Sequence, residues 1–128
     1  MNIKYEVKVE KLFGEEVESL KKSLSVNKFG VLWELDFKDK LKEKGLEFDT
    51  NYKILEVCNP VKAKEVLIKN IETGYFLPCK MVVYEKEGSV YIGMIKPTEL
   101  IKMIGDKKLI AIAKDIEKVL KKSIDDAV

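Results

Sequence analysis

The chain has 128 residues and 14.7 kDa, the size of a single domain (1–128) whose core needs no covalent staples. It contains no His, no Arg and no Gln, so all 24 basic residues are Lys. That excludes a His general base, a Ser-His-Asp triad, a His-ligated metal and the planar Arg fork that grips carboxylate or phosphate. Charged residues make up 36% of the chain, yet the net charge is only +2. Both signs are interspersed, which argues against a nucleic-acid surface. The Lys/Glu excess fits either a thermophile-like composition or an A+T-rich genome. With no 18-residue apolar window and no apolar signal core, the expectation is a soluble cytoplasmic protein without a membrane segment.

IKYEVKV (3–9) alternates apolar and polar residues and predicts a half-buried strand. Phe13, Val17, Leu20 and Leu24 recur at helical spacing, predicting a helix over about 14–25 with Glu18 and Lys22 paired on its wet face. FGVLWELDF (29–37) is the strongest strand signal. Strict alternation puts Phe29, Val31, Trp33, Leu35 and Phe37 on one side, and Gly30, Leu32, Glu34 and Asp36 on the other. A short helix follows over 38–44 and stops at Gly45. YKILEVC (52–58) is another strand, after which Asn59-Pro60 caps a helix running to about Asn70. CKMVVYEK and SVYIGMI form a β-hairpin turning at Glu87-Gly88. Pro97–Ile104 is a short helix ended by Gly105, and Asp106 caps the last helix with its stripe of Leu109, Ile112, Ala113, Ile116, Val119, Leu120 and Ile124.

The order β-α-β-α-β-α-β-β-α mixes crossovers with a hairpin. This favours an α+β fold: two layers, a mostly antiparallel sheet of about five strands, with helices packed on one face. In the simplest hairpin register Tyr84 lies opposite Tyr91, while Met81 and Val83 share the other face with Met94 and Ile92. Both faces of the hairpin are then apolar, unlike a sheet with one wet side. The second face (Val82, Tyr84, Tyr91, Ile95, with Leu32 near it) is a candidate subunit interface or ligand platform, unless loops and short helices cover it.

Two side-chain sets are candidates for chemistry. Cys58 ends a strand just before the Asn59 cap, where helix N–H groups favour thiolate. Cys79 starts the next strand beside Lys80. If those strands are neighbours, Cys58, Asn59, Cys79 and Lys80 form a thiol site for redox or soft-metal chemistry; the plain alternative is that both cysteines are small core hydrophobes. A zinc site has too few ligands without His. Glu34 and Asp36, spaced i,i+2 on a strand, form an acidic face with Tyr84 and Tyr91 that would suit a cation or acid–base work; the plain alternative is a solvated strand face paired with lysines. The seven glycines are scattered and form no phosphate loop.

The segments FGVLWELDFKDKLKEKG, YKILEVCNP and LPCKMVVYE resemble the family called domain of unknown function 302. The residues that carry the resemblance are Phe29, Val31, Leu32, Asp36, Leu41 and Lys44, then Lys53, Ile54, Leu55, Cys58, Asn59 and Pro60, then Gly74, Leu77, Pro78 and Cys79. Glu56 stands where the family carries a small residue, and Lys28 precedes Phe29-Gly30 where the family has a Gly-Phe-Gly lead. The resemblance implies a compact α+β domain that tends to form dimers, and it brings no activity, cofactor or catalytic residue with it. The leading expectation is therefore a homodimeric binding or accessory module with room for a small-molecule ligand and no nucleic-acid or membrane partner. The alternative is a thiol-based redox or soft-metal-handling protein using Cys58 and Cys79.

Overall fold

A computed structural model describes residues 2–128. Strands β1 (Lys4–Val9), β2 (Gly30–Asp36), β3 (Tyr52–Cys58), β4 (Cys79–Lys86) and β5 (Ser89–Ile95) form one sheet in the order β1-β5-β4-β3-β2. Every neighbouring pair is antiparallel. Helices α1 (Phe13–Val26), α2 (Phe37–Glu43), α3 (Pro60–Lys69), α4 (Pro97–Ile104) and α5 (Ile110–Ala127) complete the α+β fold that the element order predicts. Two 3₁₀ turns, Ile71–Tyr75 and Lys107–Leu109, interrupt the connections.

Local chemistry explains the boundaries. The Asn59 side chain accepts a hydrogen bond from the Lys62 N–H at 3.2 Å, and Pro60 occupies the first helical position, where a missing N–H costs nothing. Glu87 and Gly88 both take positive φ, 51° and 79°. Two left-handed residues are what a two-residue hairpin needs to follow the sheet twist. Asp106 caps differently from the expectation. Its carboxylate accepts from the Lys108 N–H at 3.0 Å and so starts the 3₁₀ turn, which then feeds α5 at Ile110.

The core lies between the sheet and helices α1 and α5. In α5, Ile112, Ile116, Leu120 and Ile124 fall every fourth residue on one stripe, and all four are buried. They meet Val17, Leu20 and Leu24 of α1 and the strand residues Leu55, Val57, Met81, Val83, Ile92 and Met94. Each fully buried side chain of this size contributes roughly 1.5–3 kcal/mol, so this side of the sheet carries most of the fold's stability.

One irregularity rearranges β2. The register shifts between Val31 and Trp33: Val31 pairs with Val57, but Trp33 pairs with Glu56. Leu32 is the extra residue of a β-bulge, two residues standing against one. Strict alternation therefore fails beyond Val31. Phe29 is buried in the core and Val31 packs against it, whereas Trp33 and Leu35 turn to the opposite side of the sheet, where Trp33 is 49% exposed. Glu34 and Asp36 swing the other way, onto the helix side.

Candidate functional site

The face of the sheet away from α1 and α5 is an ordered grid, because in a regular antiparallel ladder paired residues point the same way. One row runs Lys8, Tyr91, Tyr84, Tyr52 across four strands. The next runs Glu6, Gly93, Val82, Ile54, Leu35 across all five. Beyond it lie Lys4 opposite Ile95, and Lys80, Glu56 and Trp33 in line. The aromatic row is continuous. Tyr84 stacks on Tyr91 with centroids 5.4 Å apart and on Tyr52 at 5.2 Å, and Phe37 meets Tyr52 edge-on at 6.0 Å. Ile54 is buried yet stands apart from the helix-side core. The apolar character expected of this second face at Val82, Tyr84, Tyr91 and Ile95 is thus present, while Leu32 sits in the bulge, 61% exposed.

Gly93 decides the shape of this face. A Cβ at position 93 would come within 3.4 Å of the Tyr5 carbonyl oxygen and 3.7 Å of Glu6. Without one, the Glu6 side chain crosses over β5, and its carboxylate accepts a hydrogen bond from the Tyr84 hydroxyl two strands away, at 2.5 Å. Lys4 lies 3.4 Å from the other Glu6 oxygen. Burial, with Glu6 second, pushes the Tyr84 phenol up to about 12, so it stays protonated and donates. What remains is a shallow groove of about 340 Å³ with Gly93, Val82 and Ile95 among its lining, Tyr52 and Tyr84 on one side, and Lys4 and Lys80 at its rim. The alternation of IKYEVKV already placed Glu6 on the polar side of β1, and a Gly inside an apolar strand signals a close approach. The pairing of Glu6 with Gly93 was the missing step, because β1 and β5 are the most distant strands in sequence.

The acidic face is not assembled as expected. Glu34 pairs in register with the buried Leu55 and forms an ion pair with Lys21 of α1 at 2.8 Å, with Lys53 at 4.0 Å. The Asp36 carboxylate caps α2 by accepting from the Asp39 N–H at 3.1 Å. Tyr84 and Tyr91 are on the far side of the sheet. The bulge at Leu32 is the physical reason: one extra residue exchanged the two sides of β2. Among the described residues no cluster of three or more Cys, Asp or Glu is arranged to hold a metal ion.

The thiols sit on neighbouring strands, as expected. Cys79 pairs with Val57, one residue before Cys58, at the end of β3. Both are free. The thiolate-favouring environment inferred for Cys58 is reversed: burial pushes its thiol up, and burial together with the nearby Cys58 pushes Cys79 up to about 11. Desolvation outweighs the helix N-terminus here because the Asn59 side chain already satisfies the Lys62 N–H. Asn59 lines the same small apolar cavity as both cysteines, together with Phe29, Val66 and Leu77. Lys80 instead points to the open face.

No helix among the described residues is long and apolar enough to cross a membrane. No functionally curated protein matches the chain. Among solved structures, the chain is similar to an uncharacterized conserved DUF302 protein from Bacillus stearothermophilus: 48% identity, 98% of each chain covered and a TM-score of 0.95. The family described as domain of unknown function DUF302 matches residues 5–127. Matched over nearly its whole length, the chain belongs to the DUF302 family.

Proposed function

We propose that the chain is a binding or accessory module that works as a homodimer, with the open sheet face as its contact surface. The observation that carries this reading is the composition of the grid. Its middle is apolar, with Gly93, Val82, Ile54 and the tyrosine row, and its charges lie at the margins, Lys4, Glu6 and Lys8 along β1 and Lys80 with Glu56 near one end of β4 and β3. An apolar centre inside a polar rim is the anatomy of an interface. Five strands at about 4.8 Å spacing and about 3.3 Å rise per residue give a face of roughly 550 Å². Two such faces bury about 1,100 Å², just above what a specific contact needs. Exposed Leu32 and Trp33 at the β2 edge extend it. The thiol-based alternative draws little support from two thiols that burial holds protonated.

Light scattering at high micromolar concentration tests the reading. Wild type is expected at twice the chain mass, and Val82→Lys, a charge in the middle of the grid, at the mass of one chain with unchanged far-UV circular dichroism. A strictly monomeric wild type would remove the dimer.

A further inference from the structure

The groove beside Gly93 has the features of a small-ligand site. At about 340 Å³ it lies within the range of small-molecule pockets. Its lining divides into an apolar part and a few polar groups, and those groups differ in availability. The Glu6 carboxylate is engaged from two sides, by the Tyr84 hydroxyl at 2.5 Å and Lys4 at 3.4 Å. Lys80, on the opposite rim, has no carboxylate within 4.0 Å among the described residues, although Glu56 stands across the strand from it. The uncommitted charged group of the groove is therefore a cation. Its apolar part is Val82 and Ile95 beside Gly93, where the Glu6 side chain passes, with Tyr84 and Tyr52 along one side.

We propose that this groove binds a small flat organic anion, an aromatic or conjugated carboxylate. Its ring lies over Val82 and Ile95, beside the Glu6 side chain, and packs against the tyrosines, and its carboxylate reaches the Lys80 ammonium. A cation finds Glu6 already neutralised. A bare phosphate gains nothing from the apolar floor. The inference rests on the reading of this face as the binding surface; in a dimer the second copy roofs the groove.

The test titrates 2-naphthoate and neutral 2-naphthamide into the full chain, following backbone amides by NMR and affinity by calorimetry, with light scattering on the same samples. The acid is expected to shift Lys4, Glu6, Tyr84 and Gly93 and to bind about tenfold more tightly than the amide. Gly93→Ala, which puts a methyl group against Glu6 and into the groove, weakens both ligands. Lys80→Met, a substitution at an exposed position, removes the preference for the acid. Equal binding of acid and amide, shifts confined to other residues, or no binding at millimolar ligand would overturn the proposal. A monomer that binds naphthoate removes the dimer and keeps the ligand site; a dimer that does not bind it removes the ligand site and keeps the dimer.

Discussion

The two sides of this sheet are built from the same strands and are both apolar, yet they differ in what apolar side chains are made to do. On the helix side Leu55, Met81 and Met94 align across β3, β4 and β5, and α1 and α5 close over them. On the other side Tyr52, Tyr84 and Tyr91 align across the same strands, with no side chain at Gly93 and lysines at the margin. Aliphatic residues fill volume and are worth most when fully enclosed. Tyrosines keep a hydroxyl for water or a partner and tolerate half-burial. Hydrophobicity along a strand thus identifies a buried surface without saying what buries it.

The largest effect separates the two sides directly. Leu55→Ala, in the closed core, is expected to cost about 3 kcal/mol in urea denaturation, within the usual range for a buried Leu truncation. Val82→Ala, on the neighbouring strand but facing outward, is expected to cost less than about 1 kcal/mol when measured at concentrations too low for self-association. Equal costs would mean that the open face is core after all.

The cysteines carry the same contrast in a rate. With its thiol pushed up to about 11, Cys79 on the closed side holds so little thiolate at pH 7.5 that alkylation should run about 100-fold slower than for a free thiol. Cys58, raised by burial alone, should react faster than Cys79 but still more slowly than free cysteine. Mass spectrometry after timed iodoacetamide treatment, with and without denaturant, reads both. A Cys79 that reacts at the free-thiol rate in native protein would show the closed side to be open.

A buried carboxylate on α1 sharpens the comparison from within the core. Glu16 is fully buried, its oxygens have no hydrogen-bond partner among the described residues, and Lys11 approaches only to 3.9 Å. Burial raises its carboxyl above the ordinary range, against a smaller opposing pull from Lys11. The folded state therefore holds this proton more tightly than the unfolded state does. The corresponding stability is present below the unfolded glutamate range and is lost as pH rises through the folded value. Glu16→Gln is expected to match wild type near pH 4 and to exceed it by on the order of 1 kcal/mol at pH 7, in denaturation at a series of pH values. A constant difference across that range would place an unseen partner on Glu16.

Much of this architecture was legible from spacing alone. The cap at Asn59-Pro60, the Glu87-Gly88 turn and the Tyr84–Tyr91 register each depend on residues within a few positions of one another, where local physics decides. The errors came from one extra residue. Nothing in FGVLWELDF marks Leu32 as a bulge, since the segment alternates acceptably in either register, and so Glu34 and Asp36 were placed on the wrong side. The groove was half legible. Val82, Tyr84 and Ile95 share a face in the hairpin register, but Glu6 joins them only through pairing of the first strand with the fifth, which no local signal reports. At the thiols, the helix N-terminus is visible in sequence, but the burial that raises both of them is not.

The smallest effect concerns the bond that crosses the open face. Tyr84→Phe removes the hydroxyl that Glu6 accepts from and leaves the ring stack in place. Part of the Tyr84–Glu6 pair remains wet, so the loss at neutral pH should fall at the lower end for a hydrogen bond, about 0.5–1 kcal/mol. The pH profile distinguishes this bond from a packing effect. Tyr84 ionises near 12 when folded and near 10 when unfolded. The wild-type advantage over the variant should therefore hold steady below about pH 10 and vanish as pH rises toward 12, while ultraviolet titration of the variant lacks the phenol that ionises near 12. An advantage that persists at pH 12 would mean that the ring's packing, and not its hydroxyl, is what Tyr84 contributes, and the reach of Glu6 across Gly93 would have no energetic role on this face.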